Sequence, residues 1–182
     1  MLIFETPAGS VKILDEPAFT IGSVDNVRSY PVEVELDPAD HSSSTHGLFL
    51  NEEPLAVFSN SGGATGVHSH SAVYVDGSLY LAIGNTIVSL RLSPFKVLWK
   101  LKADVCTCFG VHYDPARQAL ISHGELSIAR FSSDGAILWS TVGKDIFWGR
   151  LTLRPRHIEA IDFGDRLYRF DFSEGMEING DE

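Results

Sequence analysis

Two histidines one residue apart, His68 and His70, are the pair in this 182-residue chain whose spacing speaks most directly of chemistry. On a strand, residues i and i+2 point to the same side, so both imidazoles can meet one metal ion such as zinc. His46, beside an earlier polar stretch, offers a third ligand, and His41, Glu52 and Asp76 are further candidates. The same two rings can instead bond loop backbone at the entry to a strand. The expectation is either a divalent-metal site at His68, His70 and His46 or no cofactor at all.

The remaining candidates carry weaker patterns. His112, His123 and His157 fall on or beside strands, and His123 occupies a slot that Ile83 and Phe163 fill elsewhere, so these read as core or rim histidines. Glu33 and Glu35 share one face of an alternating segment and read as the wet face of an edge strand; no spacing singles out a paired general acid and base. Nucleophile-elbow, phosphate-loop and dinucleotide motifs are missing. Trp148-Gly-Arg150 and Arg154-Pro-Arg156 form a short basic patch that reads as rim charge. Cys106 and Cys108 are expected as free, buried thiols on one strand face, in keeping with a reducing cytoplasm.

What must position these residues is a beat of forty. Gly84, Gly124 and Gly164 are forty apart, as are Trp99 and Trp139, Pro115 and Pro155, and Gly135 and Gly175; each Trp follows a Leu. A period of that length marks a repeated β architecture. Within each period, short runs rich in aromatic and β-branched residues alternate with Asp-Gly, Gly-Asn and Pro turns. The reading is a single β domain over 1–182, with irregular strands and loops in 1–66 and three four-stranded units in 67–178. Short strands are expected at Leu2–Phe4, Val11–Leu14, Ala18–Gly22, Val32–Leu36, Leu48–Leu50 and Leu55–Phe58. Polar loops are expected at Pro38–Thr45 and Ser59–Gly66, the second Gly-rich and a candidate for mobility. Trp99 and Trp139 are expected to fill the gaps between adjacent sheets.

Four strands per forty residues, a turn Gly between the second and third, and Leu-Trp on the fourth resemble β-propeller blades over residues 70–178, nearest to quinoprotein-like and WD-repeat blades. Lys100 and Ser140 stand where WD repeats carry Asp. The resemblance implies an all-β fold of about forty-residue, four-stranded antiparallel repeats. That fold is a small or incomplete propeller, with a two-sheet β-sandwich as the alternative. It also implies binding through loops at one end of the repeats.

Composition sets the outer bounds. The chain carries 24 acidic and 14 basic residues, a net charge of −10, which disfavours nucleic acid and anionic membranes and favours a basic protein partner. No run is long and apolar enough for a membrane span, and no secretory signal is visible, so a cytoplasmic protein is expected. Open sheet edges make a homodimer plausible. These features point to a non-catalytic binding module, for instance an inhibitor or immunity-type protein for a basic partner. The alternative is a metal-dependent enzyme or ligand-binding protein at His68 and His70.

Overall fold

The computed structural model describes residues 1–37 and 42–178. Among them there are strands and turns and no helix, and thus no helix able to cross a membrane. Sixteen strands form four sheets. The first contains β1 (Leu2–Thr6), β2 (Gly9–Asp15), β3 (Glu33–Glu35), β4 (Ser44–Leu50) and β5 (Glu53–Asn60) in the order β1-β2-β4-β5-β3, with β3 parallel to β5. The second is the antiparallel meander β6 (Ala72–Val75), β7 (Ser78–Ile83), β8 (Thr86–Leu92) and β9 (Phe95–Lys102). The third repeats it with β10 (Cys108–Asp114), β11 (Ala119–Gly124), β12 (Ser127–Phe131) and β13 (Ile137–Val142). The fourth has β14 (Thr152–Leu153), β15 (Ile158–Ile161) and β16 (Leu167–Phe170), extended by a bridge from Phe170 to Glu177.

The sheets pack face to face in chain order and do not close into a ring. β7 shows why its sequence is almost unbroken apolar. Leu79, Leu81 and Ile83 pack toward the first sheet against Val11, Leu48 and Phe58, while Tyr80 and Ala82 pack toward the third against Val111 and Leu120. A strand covered on both sides has no wet face to mark with polar residues. Between the third and fourth sheets, Ile121, Ile128 and Trp139 meet Ile158, Tyr168 and Phe170. The outer face of the first sheet is covered by the segment before β3, whose Phe19 and Tyr30 pack on Phe49 and Val57. Buried Glu16 pins that segment by accepting hydrogen bonds from Arg28 Nη1 (3.0 Å) and the Tyr30 hydroxyl (2.6 Å).

The Leu-Trp pair has a geometric cause. In the β8–β9 register Ser89 faces Trp99 and Leu90 faces Val97, so Leu98 is the extra residue of a β-bulge. In β12–β13 Arg130 faces Trp139 and Phe131 faces Ile137, which makes Leu138 the bulge. Both leucines are exposed, and each bulge re-aims the following Trp at the next sheet. There Trp99 Nε1 donates to Ser133 O (2.9 Å) and Trp139 Nε1 to Phe172 O (3.0 Å). Gly135 and Gly175 close the same contacts at φ +87° and +70°, and a Cβ on Gly135 would come within 2.9 Å of the Trp99 ring. A Cβ on Gly175 would overlap Trp139. Gly175→Ala, which adds both this clash and left-handed strain, should therefore cost about 2 kcal/mol or more. A urea titration followed by tryptophan fluorescence measures it, and an unchanged midpoint would count against the ring contact as a structural element.

The beat of turn glycines has a second cause. Where the chain leaves the first and second sheets, a buried polar side chain reaches the next sheet's second hairpin. Asn60 Nδ2 donates to Ile83 O (2.9 Å), and Asp104 Oδ2 accepts from Leu126 N (3.0 Å) and Ser127 N (2.9 Å). Those side chains occupy the space where a Cβ of Gly84 or Gly124 would stand.

Several expectations need correcting. Ala18–Gly22 forms no strand; it is part of the cover held by Glu16. Ser44–Thr45 belongs to β4 and Ser59–Asn60 to β5, both pairs buried, while Pro38–His41 lies outside the described residues. The Gly-rich stretch is tied down rather than free-standing: Ser43 and Ser44 hydroxyls donate to Gly63 O (2.6 and 2.9 Å), and Gly84 N donates to Thr65 Oγ1 (3.0 Å). Ahead of the two-residue β14, Gly149 N donates to Ile161 O at the end of β15 (3.0 Å). Cys106 is exposed in the connector, where its N–H binds Asp104 Oδ1 (2.8 Å), and only Cys108 is buried, its thiol pushed up to about 12 by burial.

Candidate functional site

The histidines separate into two places. His46 lies in β4, fully buried. Its Nε2 is 3.4 Å from Thr65 Oγ1 and its Nδ1 is 3.4 Å from Asp15 Oδ1, and burial holds its pKa below the usual histidine value. His68 and His70 instead sit on the exposed turn leading into β6. His68 Nδ1 accepts the His70 N–H (3.2 Å), so its lone pair is there and Nε2 carries the hydrogen donated to Phe109 O (2.6 Å). Both ring nitrogens are occupied, and a metal ion could take His68 only by breaking one of these bonds. His41 lies outside the described residues. Among those described, no three His, Cys, Asp or Glu groups are arranged to hold a metal ion.

The two chemically expressive histidines are the ones that read from sequence as core or rim. His112 in β10 and His123 in β11 lie on the face of the third sheet toward the fourth, at 7% and 8% exposure, and Nε2 of each has no hydrogen-bond partner. His70 stacks on His112 with ring centroids 4.2 Å apart and 26° between planes. His123 lies 6.1 Å from His112 and edge-on to Phe109 at 5.5 Å; Phe109 in turn meets exposed Trp148 at 5.9 Å. Burial, then the neighbouring imidazoles, lowers His112 to about 3; burial chiefly lowers His123 to about 4. His70 shifts the same way through burial, His68 and Arg150. At neutral pH the cluster is a stack of uncharged rings. His157 stands apart, its Nε2 3.2 Å from Glu159 on the outer face of the fourth sheet.

Beside the stack opens a cavity of 370 Å³ where the first strands of the second, third and fourth sheets approach. His70 and Val73 line it from the second sheet, His112 and Tyr113 from the third, and Arg150, Leu151 and Leu153 from the fourth. Local backbone forces this meeting. Val111 N donates to His70 O (2.8 Å) across the sheets, and His70 passes so close over Gly110 that a Cβ there would meet its carbonyl at 2.7 Å. Arg150 reads from sequence as rim charge. The signal that could have found it is the beat itself: His70, Gly110 and Arg150 are forty apart, and so are Val73, Tyr113 and Leu153. Matching positions of successive sheets converge on one axis, so the cavity is lined by a column of sequence-equivalent residues.

The architecture defines an all-β protein of stacked antiparallel sheets. No family model matches the chain, and no curated protein is similar to it in sequence. Among solved structures, it is similar to the computationally designed Ika8 protein, with a TM-score of 0.54 at 8% identity over 78% of this chain. The chain spans 46% of the length of that designed protein. A likeness at this identity concerns the fold alone.

Proposed function

We propose that this chain is a non-catalytic binding module, an incomplete propeller-like array of forty-residue blades that presents an acidic surface to a basic protein partner. The observation that carries the reading is the edge strand β3. It ends the first sheet, its side chains Glu33 and Glu35 are exposed, and Asp37 follows, also exposed. Among the described residues none of these three carboxylates forms an ion pair, although Lys100 Nζ reaches the Glu35 backbone oxygen (3.4 Å), and Lys12, Arg28, Arg117, Arg154, Arg166 and Arg169 are engaged with acids elsewhere. Together with a net charge of −10, this exposed acidic edge favours the approach of a cationic partner over an anionic one. An inhibitor or immunity-type protein that neutralises a basic toxin domain is one concrete form. A metal-dependent site at His68, His70 and His46 has less support, because His46 stands in a separate buried pocket and the His68 nitrogens are in use.

The test is the salt dependence of the partner complex. Affinity for a protein captured on the immobilised chain should fall about tenfold or more between roughly 50 and 500 mM salt, and fall similarly in Glu33→Lys/Glu35→Lys. An affinity indifferent to both would remove the acidic edge as the recognition surface.

A further inference from the structure

We propose that the cavity between the first strands of the second, third and fourth sheets binds a small organic carboxylate with an apolar body. Its 370 Å³ lies within the range of small-ligand sites, roughly 300–1,000 Å³. Three independent features fix the chemistry of the occupant. Arg150 stands at the rim, exposed and without a carboxylate partner among the described residues, and the cavity lining includes no acid. A planar guanidinium in that state recognises a carboxylate through paired N–H donors. His112, more than nine-tenths buried, lines the same space, and its shielded Nε2 has no hydrogen-bond partner among the described residues. A polar atom buried in this way is costly unless a ligand or a water meets it. Val73, Leu151 and Leu153 supply an apolar wall, which an inorganic anion would leave bare. The stacked His70 ring closes the side toward the turn. A cation at the rim, imidazole and hydroxyl groups from His70, His112, Tyr113 and Thr152, and the aliphatic Val73, Leu151 and Leu153 match a monocarboxylate with an aryl or branched-alkyl body. The site is separate from the acidic edge on β3, and neither reading depends on the other.

Benzoate is the probe. The full chain, labelled with ¹⁵N, is titrated at neutral pH while the imidazole nitrogens of His70 and His112 and the methyls of Leu151 and Leu153 are followed by NMR. Saturable shifts of both sets at millimolar benzoate are expected, with weaker binding by about tenfold or more in Arg150→Gln and no saturation by benzamide, the neutral isostere. Arg150 is exposed, so that variant should retain the parent amide spectrum; His112→Phe, which fills the buried position with an apolar ring, serves as the second variant and should also weaken binding. The proposal is overturned by the absence of saturable shifts. It is equally overturned if benzamide matches benzoate, if Arg150→Gln binds like the parent, or if sulfate reproduces the full response and so shows a site for any anion.

Discussion

Lowering the pH from 7 to 5 should cost this protein about 4 kcal/mol of folding stability, roughly 2 kcal/mol from each of His112 and His123. The sign follows from the direction of the shifts. In the unfolded chain both imidazoles titrate near the ordinary value of 6.5, while in the folded state His112 is lowered to about 3 and His123 to about 4. Between these limits the unfolded chain binds protons that the native state refuses, so stability rises with pH. It is fully present above 6.5 and is lost progressively as the pH falls toward 4 for His123 and toward 3 for His112. His46 and His70 are shifted in the same direction and deepen the loss. Against a total of about 5–15 kcal/mol for an ordinary domain, a loss of this size brings the protein close to unfolding in mild acid.

Urea titrations at pH 7, 6 and 5 measure the effect as a falling midpoint. The double variant His112→Leu/His123→Leu supplies the control. It removes the two titrating groups together with two buried nitrogens that have no partner, at the cost of the His123 bond to the Phe147 backbone, so it should reduce the slope between pH 6.5 and 5 to the part that His46 and His70 contribute. A midpoint unchanged from pH 7 to pH 5 in the parent protein would mean that the rings take up protons in place, and the buried-stack description would fail.

The fold was legible where punctuation recurs and illegible where only three-dimensional juxtaposition decides. Gly84 and Gly124, Gly135 and Gly175, and the two Leu-Trp pairs announced matching sheets. Each proves to be a contact between one sheet and the next: Asn60 and Asp104 against the first glycines, the tryptophans against the second. The bulges at Leu98 and Leu138 left only the leucine as a trace, because a one-residue change of register is invisible to a period-of-two pattern. The segment before β3 misled because its apolar residues, Phe19 and Ile21, resemble a strand, whereas buried Glu16, bonded to exposed Arg28 and to the Tyr30 hydroxyl, decides its shape. At the candidate site, spacing drew attention to His68 and His70. The residues that make the cavity distinctive are His112 and Arg150, which meet beside it only where three sheets come together.

The largest effect of a single substitution is expected at Asp104. Its carboxylate, at 5% exposure, accepts four hydrogen bonds: Cys106 N (2.8 Å) on Oδ1, and Leu126 N (3.0 Å), Ser127 N (2.9 Å) and Ser127 Oγ (3.0 Å) on Oδ2. The first bond folds the connector leaving the second sheet, and the others seize the hairpin between β11 and β12 of the third. One buried side chain thus joins the second and third sheets at their hairpin end, beside the backbone bond from Cys108 N to Gly84 O (2.7 Å). Asp104→Ala would strand these donors in a space that water reaches poorly, a loss of about 3–5 kcal/mol by denaturant unfolding. Asp104→Asn keeps the shape but turns an NH₂ toward donors on one side, so an intermediate loss is expected. The amides of Leu126 and Ser127 should lose hydrogen-exchange protection in both variants before the rest of the third sheet does. Gly124 offers an independent check, since a Cβ there would collide with Asp104 Oδ2 and approach Ser127 O at 2.6 Å. Gly124→Ala should be destabilising alone, and its cost should shrink in the Asp104→Ala background, where half of the collision is gone. Additive losses in the double variant, or an Asp104→Ala protein within about 1 kcal/mol of the parent, would show that the Asp104 carboxylate does not hold the two sheets in register.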